Sequence, residues 1–234
     1  MPLIVILICF IIQWYFKFNS APYQFPWASH YISRMRKMFS LLMQGHGMFA
    51  VFTLVLPLWI VASLLFTIAY HWLGYLGYAV LSLALLWYCT DSHVLRKQNA
   101  HVTSDLFLMT YRKIFAPLAW YFIAGPVGLA LYFIVTGLRA QLPDKHYIGL
   151  VMGLLDWVPL RLLGFTFALA GNFVTVFAHW MKTLASPLID NQQEVTVLGK
   201  LALGPDHTEQ HVMELLYRTL SIWLIIMVVV TVAL

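Results

Sequence analysis

The sequence predicts an all-α fold, a polytopic membrane helical bundle of about five or six transmembrane helices with room for re-entrant or interfacial pieces. Three observations carry that reading. Of the 234 residues, 62% are hydrophobic and 10% are charged, against roughly 45–50% apolar and about 25% charged in an ordinary soluble domain. The apolar residues fall in runs close to the ~20 that a helix needs to cross hydrocarbon. The basic residues collect in the short stretches between those runs. A soluble fold of this length could not hide so much apolar surface, so 1–234 reads as one integral membrane domain.

The runs follow in order. Residues 3–16 are short for a span and end at Lys17; with no basic n-region and no small-residue cleavage site they read as a retained anchor rather than a signal peptide. Residues 48–70 make a full span with Pro57 inside, and 73–89 follow after the aromatic turn Tyr70-His71-Trp72. These two should form an antiparallel hairpin with its tip in the interfacial aromatic belt. Residues 115–138 are apolar but interrupted by Gly125-Pro126, which lets the segment either cross or dip and return. Residues 147–180 are apolar apart from Asp156 and Arg161, and 219–234 form a last span.

Orientation comes from the basic residues. Segments 17–47 and 91–114 carry Lys17, Arg34, Arg36, Lys37, Arg96, Lys97, Arg112 and Lys113, and are expected to be cytoplasmic loops. Within the first, Tyr31, Ile32, Met35, Phe39 and Leu42 recur at helical spacing, which fits either a helix lying on the membrane surface or an ordinary linker. Segment 181–218 reads as an extramembrane connector. The net charge of +5 forms no stripe interleaved with stacking aromatics, so the expected partners are the lipid bilayer, an unidentified protein and a second copy of the chain, and no nucleic acid. No internal repeat is apparent. Cys9 and Cys89 lie in apolar runs and read as small core residues.

Polar residues inside the apolar runs are the candidates for function. An ionised side chain at mid-bilayer costs about 2.5–3.5 kcal/mol on insertion scales, so it normally has a partner or faces a cavity. Asp156 is suited to cap a helix with Pro159 in its first turn, dividing 147–180 into a short piece and a longer helix from Trp157 to about Trp180. On that longer helix Arg161, Asn172, Thr175 and His179 would share one face, either a helix–helix seam or a water-lined groove. His207 and His211 stand four apart, as zinc ligands on a helix can, but the sequence places no third ligand with them and Asp206 with Glu209 reads as a capping box. No metal and no cofactor is expected.

Several blocks resemble the AmpE family. Tyr111-Arg112, then Ala116-Pro117-Leu118-Ala119-Trp120, then Gly125-Pro126-Val127-Gly128 through Tyr132 look like that family's core, and Asp156-Trp157-Val158-Pro159-Leu160-Arg161 and Ala168 to Phe173 are similar to its next two blocks. The resemblance implies a multi-pass protein of the bacterial inner membrane, a regulatory signalling modulator linked to cell-wall recycling and β-lactamase induction, with no established catalysis. It also implies kinship with the CobD/CbiB membrane synthases. Those carry a Glu-Asn…Asp-Gly run before the Ala-Pro block, where this chain has Leu108-Met109 and Arg112-Lys113. Carboxylates that would hold a magnesium nucleotide are thereby replaced by cations. Phe133 also stands where an arginine is usual in the AmpE family. The chain is accordingly expected to be a regulatory or interaction protein rather than an enzyme, with a diverged synthase or a small transporter as alternatives.

Overall fold

The computed structural model describes residues 2–15, 25–38, 47–91, 103–142, 146–184, 191–204 and 209–233. Lys17, Arg96, Lys97, Asp206 and His207, which figure in the sequence reading, lie outside those residues. The described chain is helical, with no strand: α1 Pro2–Tyr15, α2 Pro26–Met38, α3 Met48–Cys89, α4 Thr103–Thr110, a π-helical turn Tyr111–Phe115, α5 Ala116–Gln141, α6 His146–Ala170, α7 Phe173–Thr183, α8 Asn191–Leu203 and α9 Glu209–Ala233. Four helical stretches are long and apolar enough to cross a bilayer, Met48–Cys89, Leu106–Gln141, His146–Ala170 and Gln210–Ala233, and Leu3–Gln13 is a shorter apolar helix. This is a multi-pass helical membrane bundle.

Two of the four stretches are folded in half. In α3 the backbone leaves helical geometry at Gly74 (φ 64°, ψ −155°), and the Phe66 and Tyr78 rings then meet at 5.9 Å. A continuous helix would set those residues about 18 Å apart. The expected hairpin is present, but its corner lies at Gly74 rather than at Tyr70-His71-Trp72. The reason is steric, since positive φ with extended ψ is open essentially only to glycine. Tyr70 packs across the corner against Tyr75 and Tyr78 instead.

The backbone turns in the same way within 115–138. Gly125 has φ 66° and ψ −161°, and Arg112 and Arg139, from opposite sides of it in sequence, line one cavity. The chain folds back on itself there. Pro126 directly follows the corner, where a missing N–H breaks no helical bond. Each corner has a second glycine three residues on. A Cβ at Gly77 would collide with Leu73, and one at Gly128 with Ala124. The Gly-x-x-Gly corner is thus a short structural repeat that the sequence alone did not reveal. The second hairpin seats against the first, with Trp59 Nε1 donating to Val127 O at 3.3 Å.

Around these hairpins the other helices are tied by specific polar bonds. Gln13 of α1 donates to Thr90 O and Thr90 Oγ1 at 3.0 and 2.9 Å, fixing α1 to the end of α3. The amphipathic helix expected between 30 and 42 is α2, with Phe39 and Leu42 outside the described residues. Its stripe of Ala28, Ile32 and Met35 is buried, and Tyr31 donates to Leu54 O at 3.0 Å. Burial pushes the Tyr31 phenol up from its ordinary pKa, so it remains a donor. The apolar face of α2 is therefore buried against protein. Segment 91–114 is also less of a loop than expected, because helix begins at Thr103.

Asp156 does not begin a helix. Helix α6 runs unbroken from His146 through Asp156 and Pro159 to Ala170. Pro159 has no N–H for Leu155 O, and Trp120 Nε1 takes that carbonyl instead at 3.1 Å. The break comes later, at Gly171-Asn172. Asn172 caps α7 by accepting from Thr175 N, and Asn172 N donates to Ala202 O at 3.1 Å. The connector 181–218 likewise contains α8 and the start of α9.

Gly74→Ala and Gly125→Ala each place a side chain where the backbone disfavours one by about 1–3 kcal/mol. A new Cβ meets nothing within 4 Å at Gly74 and only Tyr78 Oη at 3.7 Å at Gly125, so the loss is conformational. Both variants are expected to show a lower unfolding midpoint in detergent; an unchanged midpoint would rule out the positive-φ corners.

Candidate functional site

Asp156 is 1% exposed, and the fold gathers donors around it from both arms of the second hairpin. Tyr111 Oη donates to Asp156 Oδ1 at 2.9 Å and lies 3.2 Å from Asp156 O. Tyr132 Oη is 3.4 Å from the same carboxylate oxygen. These tyrosines would be about 30 Å apart along one helix, so the Gly125 fold-back makes the site. The π-helical turn that begins at Tyr111 adds to the placement. Such turns insert a residue into a helix and are frequent where a side chain must be re-aimed. Below it, Lys113 Nζ pairs with Asp91 at 2.8 Å, and Asp91 N donates to Lys113 O at 3.1 Å. That is the carbonyl to which Pro117, lacking an N–H, cannot donate in α-helical register.

Beside the cluster lies a cavity of about 410 Å³, within the range typical of small-molecule sites. Phe25, Pro117, Phe133 and Met152 form apolar walls, with Tyr132 and Thr136 beside them. Arg112 and Arg139 bring two guanidinium groups, and among the described residues no acid lines the cavity. Tyr132 joins the two parts, its ring on the cavity and its hydroxyl toward Asp156.

The residues expected to form a polar face do not gather as one. Arg161 is buried at 8% exposure, donates from Nη1 to Thr183 Oγ1 at 3.1 Å and lies over the Trp157 ring at 5.9 Å. Its carbonyl accepts from Trp180 Nε1 at 3.0 Å, and Gly164 leaves the room that Trp180 occupies. Asn172 and Thr175 are exposed at the start of α7, and His179 pairs with Glu194 of α8 at 3.2 Å. The stripe breaks because α6 ends at Ala170 and α7 turns back along it. Of the family blocks, Ala116 and Pro117 are buried, Trp120 binds Leu155 O, Gly125 and Pro126 form the corner, Trp157 is exposed, and Pro159 is buried within α6. His211 is exposed on α9. Among the described residues no three His, Cys, Asp or Glu side chains gather as a metal site. Sequence reasoning missed the roles of Tyr111, Tyr132, Arg112 and Arg139; the signal for the first three was their place in the blocks flanking Gly125-Pro126.

No family model matches the chain, and no solved structure matches it. The chain is 30% identical over 128 residues to Protein AmpE of Shigella flexneri, covering 50% of this chain and 43% of that protein. It therefore spans less than half the length of that relative, and the likeness is a distant one.

Tyr111→Phe removes a short hydrogen bond to a buried carboxylate and is expected to cost about 1–3 kcal/mol. Tyr132→Phe, at the longer distance, should cost less. Thermal unfolding of the two variants in one detergent checks the order, and a larger loss for Tyr132→Phe would refute it.

Proposed function

We propose, from that distant relationship, that this chain is an AmpE-like regulatory protein of the bacterial inner membrane, acting through a protein partner in cell-wall recycling and β-lactamase induction and carrying out no catalysis. One observation carries the reading most. The blocks that resemble the AmpE family converge on one place, with Tyr111, Trp120 and Tyr132 all bonded to Leu155 or Asp156. A shared core of this kind is what a common fold and role would retain.

The geometry supports a positioning role for Asp156. A carboxylate at 1% exposure, held by two phenols, has little room to meet a substrate. It does set how α6 packs on the second hairpin, and in a membrane a buried ionisable group with a specific partner is a functional candidate by default. A shift in that packing would carry a signal from the cavity end of the bundle to α6 and the helices on it.

Deletion of the gene in its native host is expected to change β-lactamase activity and muropeptide pools under an inducing antibiotic. Re-expression of the wild-type chain or of Lys200→Gln should restore both, whereas Asp156→Leu at equal membrane abundance should not. Unchanged induction and pools in the deletion strain would remove the proposal.

A further inference from the structure

The cavity at the end of the second hairpin has a chemistry that the regulatory reading does not use. We propose that it is a binding site for a phosphate-bearing amphiphile, a lipid headgroup phosphate held between Arg112 and Arg139 with its apolar part against Phe25, Phe133 and Met152.

Three observations lead there. First, the two arginines come from opposite arms of one hairpin and line one space of about 410 Å³. A guanidinium offers paired N–H donors that match phosphate oxygens, and two of them from different directions can enclose such a group. Among the described residues the lining holds two cations and no carboxylate, the sign an anion requires. Second, the remaining walls are apolar or aromatic. Phe133 is fixed from three sides by Phe25, Trp27 and Tyr88 at ring separations of 5.3, 6.3 and 5.3 Å. That fits a ligand with an apolar portion better than a fully hydrated inorganic anion. Third, the cavity lies where helices end. Cys89 closes α3, Arg139 stands in the last turn of α5, and Phe25 immediately precedes α2. Helix ends of a membrane bundle lie at headgroup depth, where lipid phosphate is the abundant anion.

The inference rests on cavity geometry and needs no role in β-lactamase induction, so either can fail without the other. The test uses the purified full chain in mild detergent, with native mass spectrometry after addition of dioleoyl phosphatidylglycerol or dioleoyl phosphatidylcholine, and thermal unfolding with inorganic phosphate. The wild type should retain the anionic lipid in preference to the zwitterionic one. Arg112→Gln/Arg139→Gln should weaken that retention about tenfold or more, and Lys200→Gln, a charge removed elsewhere, should leave it intact. Ala140→Trp adds bulk at an exposed lining position while keeping both arginines, and should also abolish retention; it decides the matter if the double variant fails to fold. Stabilisation by inorganic phosphate that the arginine variant loses, without lipid preference, would keep the phosphate site but overturn the lipid as its source. Equal retention of both lipids with no phosphate effect, or full retention in Ala140→Trp, would overturn the proposal.

Discussion

A proline inside a membrane helix leaves one carbonyl without its helical donor, and the donor that replaces it fixes what packs there. In hydrocarbon an unpaired backbone group costs several kcal/mol, so the choice of donor is not free. Pro159 leaves Leu155 O, and Trp120 reaches it from the first arm of the second hairpin. That bond sets α6 against the hairpin at the level where Asp156 points inward, and Tyr111 and Tyr132 then find its carboxylate. Pro117 has a matching effect below, where Asp91 N takes Lys113 O and the Asp91 side chain pairs with the Lys113 ammonium. The end of α3, the first arm of the second hairpin and α6 are thus joined at two carbonyls that prolines set free, and Tyr132 brings in the second arm through the Asp156 carboxylate.

Much of the architecture was legible because hydropathy reports directly on what lipid tolerates. The all-helical class, the hairpin of α3 and the interruption at Gly125-Pro126 follow from apolar runs and from the conformations closed to residues with a Cβ. What could not be read was the identity of remote partners. Asp156 followed by Pro159 is equally compatible with a helix start and with a continuous helix. The outcome turns on a tryptophan more than thirty residues earlier, which no local pattern reveals. The same limit applies to Arg161, Asn172, Thr175 and His179. They fall on one face only if the helix continues, and Gly171, whose Cβ would collide with Ala202 O at 2.5 Å, marks the break through a contact with α8 rather than through its own neighbours.

The candidate site was legible in its parts and not in its assembly. Arg112 counted as a cytoplasmic-loop charge, a reading that fits a bilayer topology rule indifferent to what the charge faces, and Arg139, one residue past the run 115–138, was not singled out. Only the fold-back at Gly125 places them on one cavity. A basic residue at the end of a membrane helix can set orientation and line a site at once, since both need it at headgroup depth.

The two glycine corners show why one hairpin carries chemistry and the other does not. Their backbone angles are nearly the same, and each has its second glycine three residues on. Their arms differ. The segment 48–89 contains no Asp, Glu, Lys or Arg, whereas 103–141 contains Asp105, Arg112, Lys113 and Arg139. Burial follows composition. In the apolar window of Met48–Cys89 22% of residues are buried, against 56% in that of Leu106–Gln141. An uncharged hairpin gains nothing by leaving lipid and can stand at the edge of the bundle. A charged one must face protein or a cavity, because exposing those charges to hydrocarbon costs about 2.5–3.5 kcal/mol each at mid-bilayer. The same local turn therefore serves as a plain corner in one place and, in the other, brings both tyrosines to Asp156 and both arginines to one cavity.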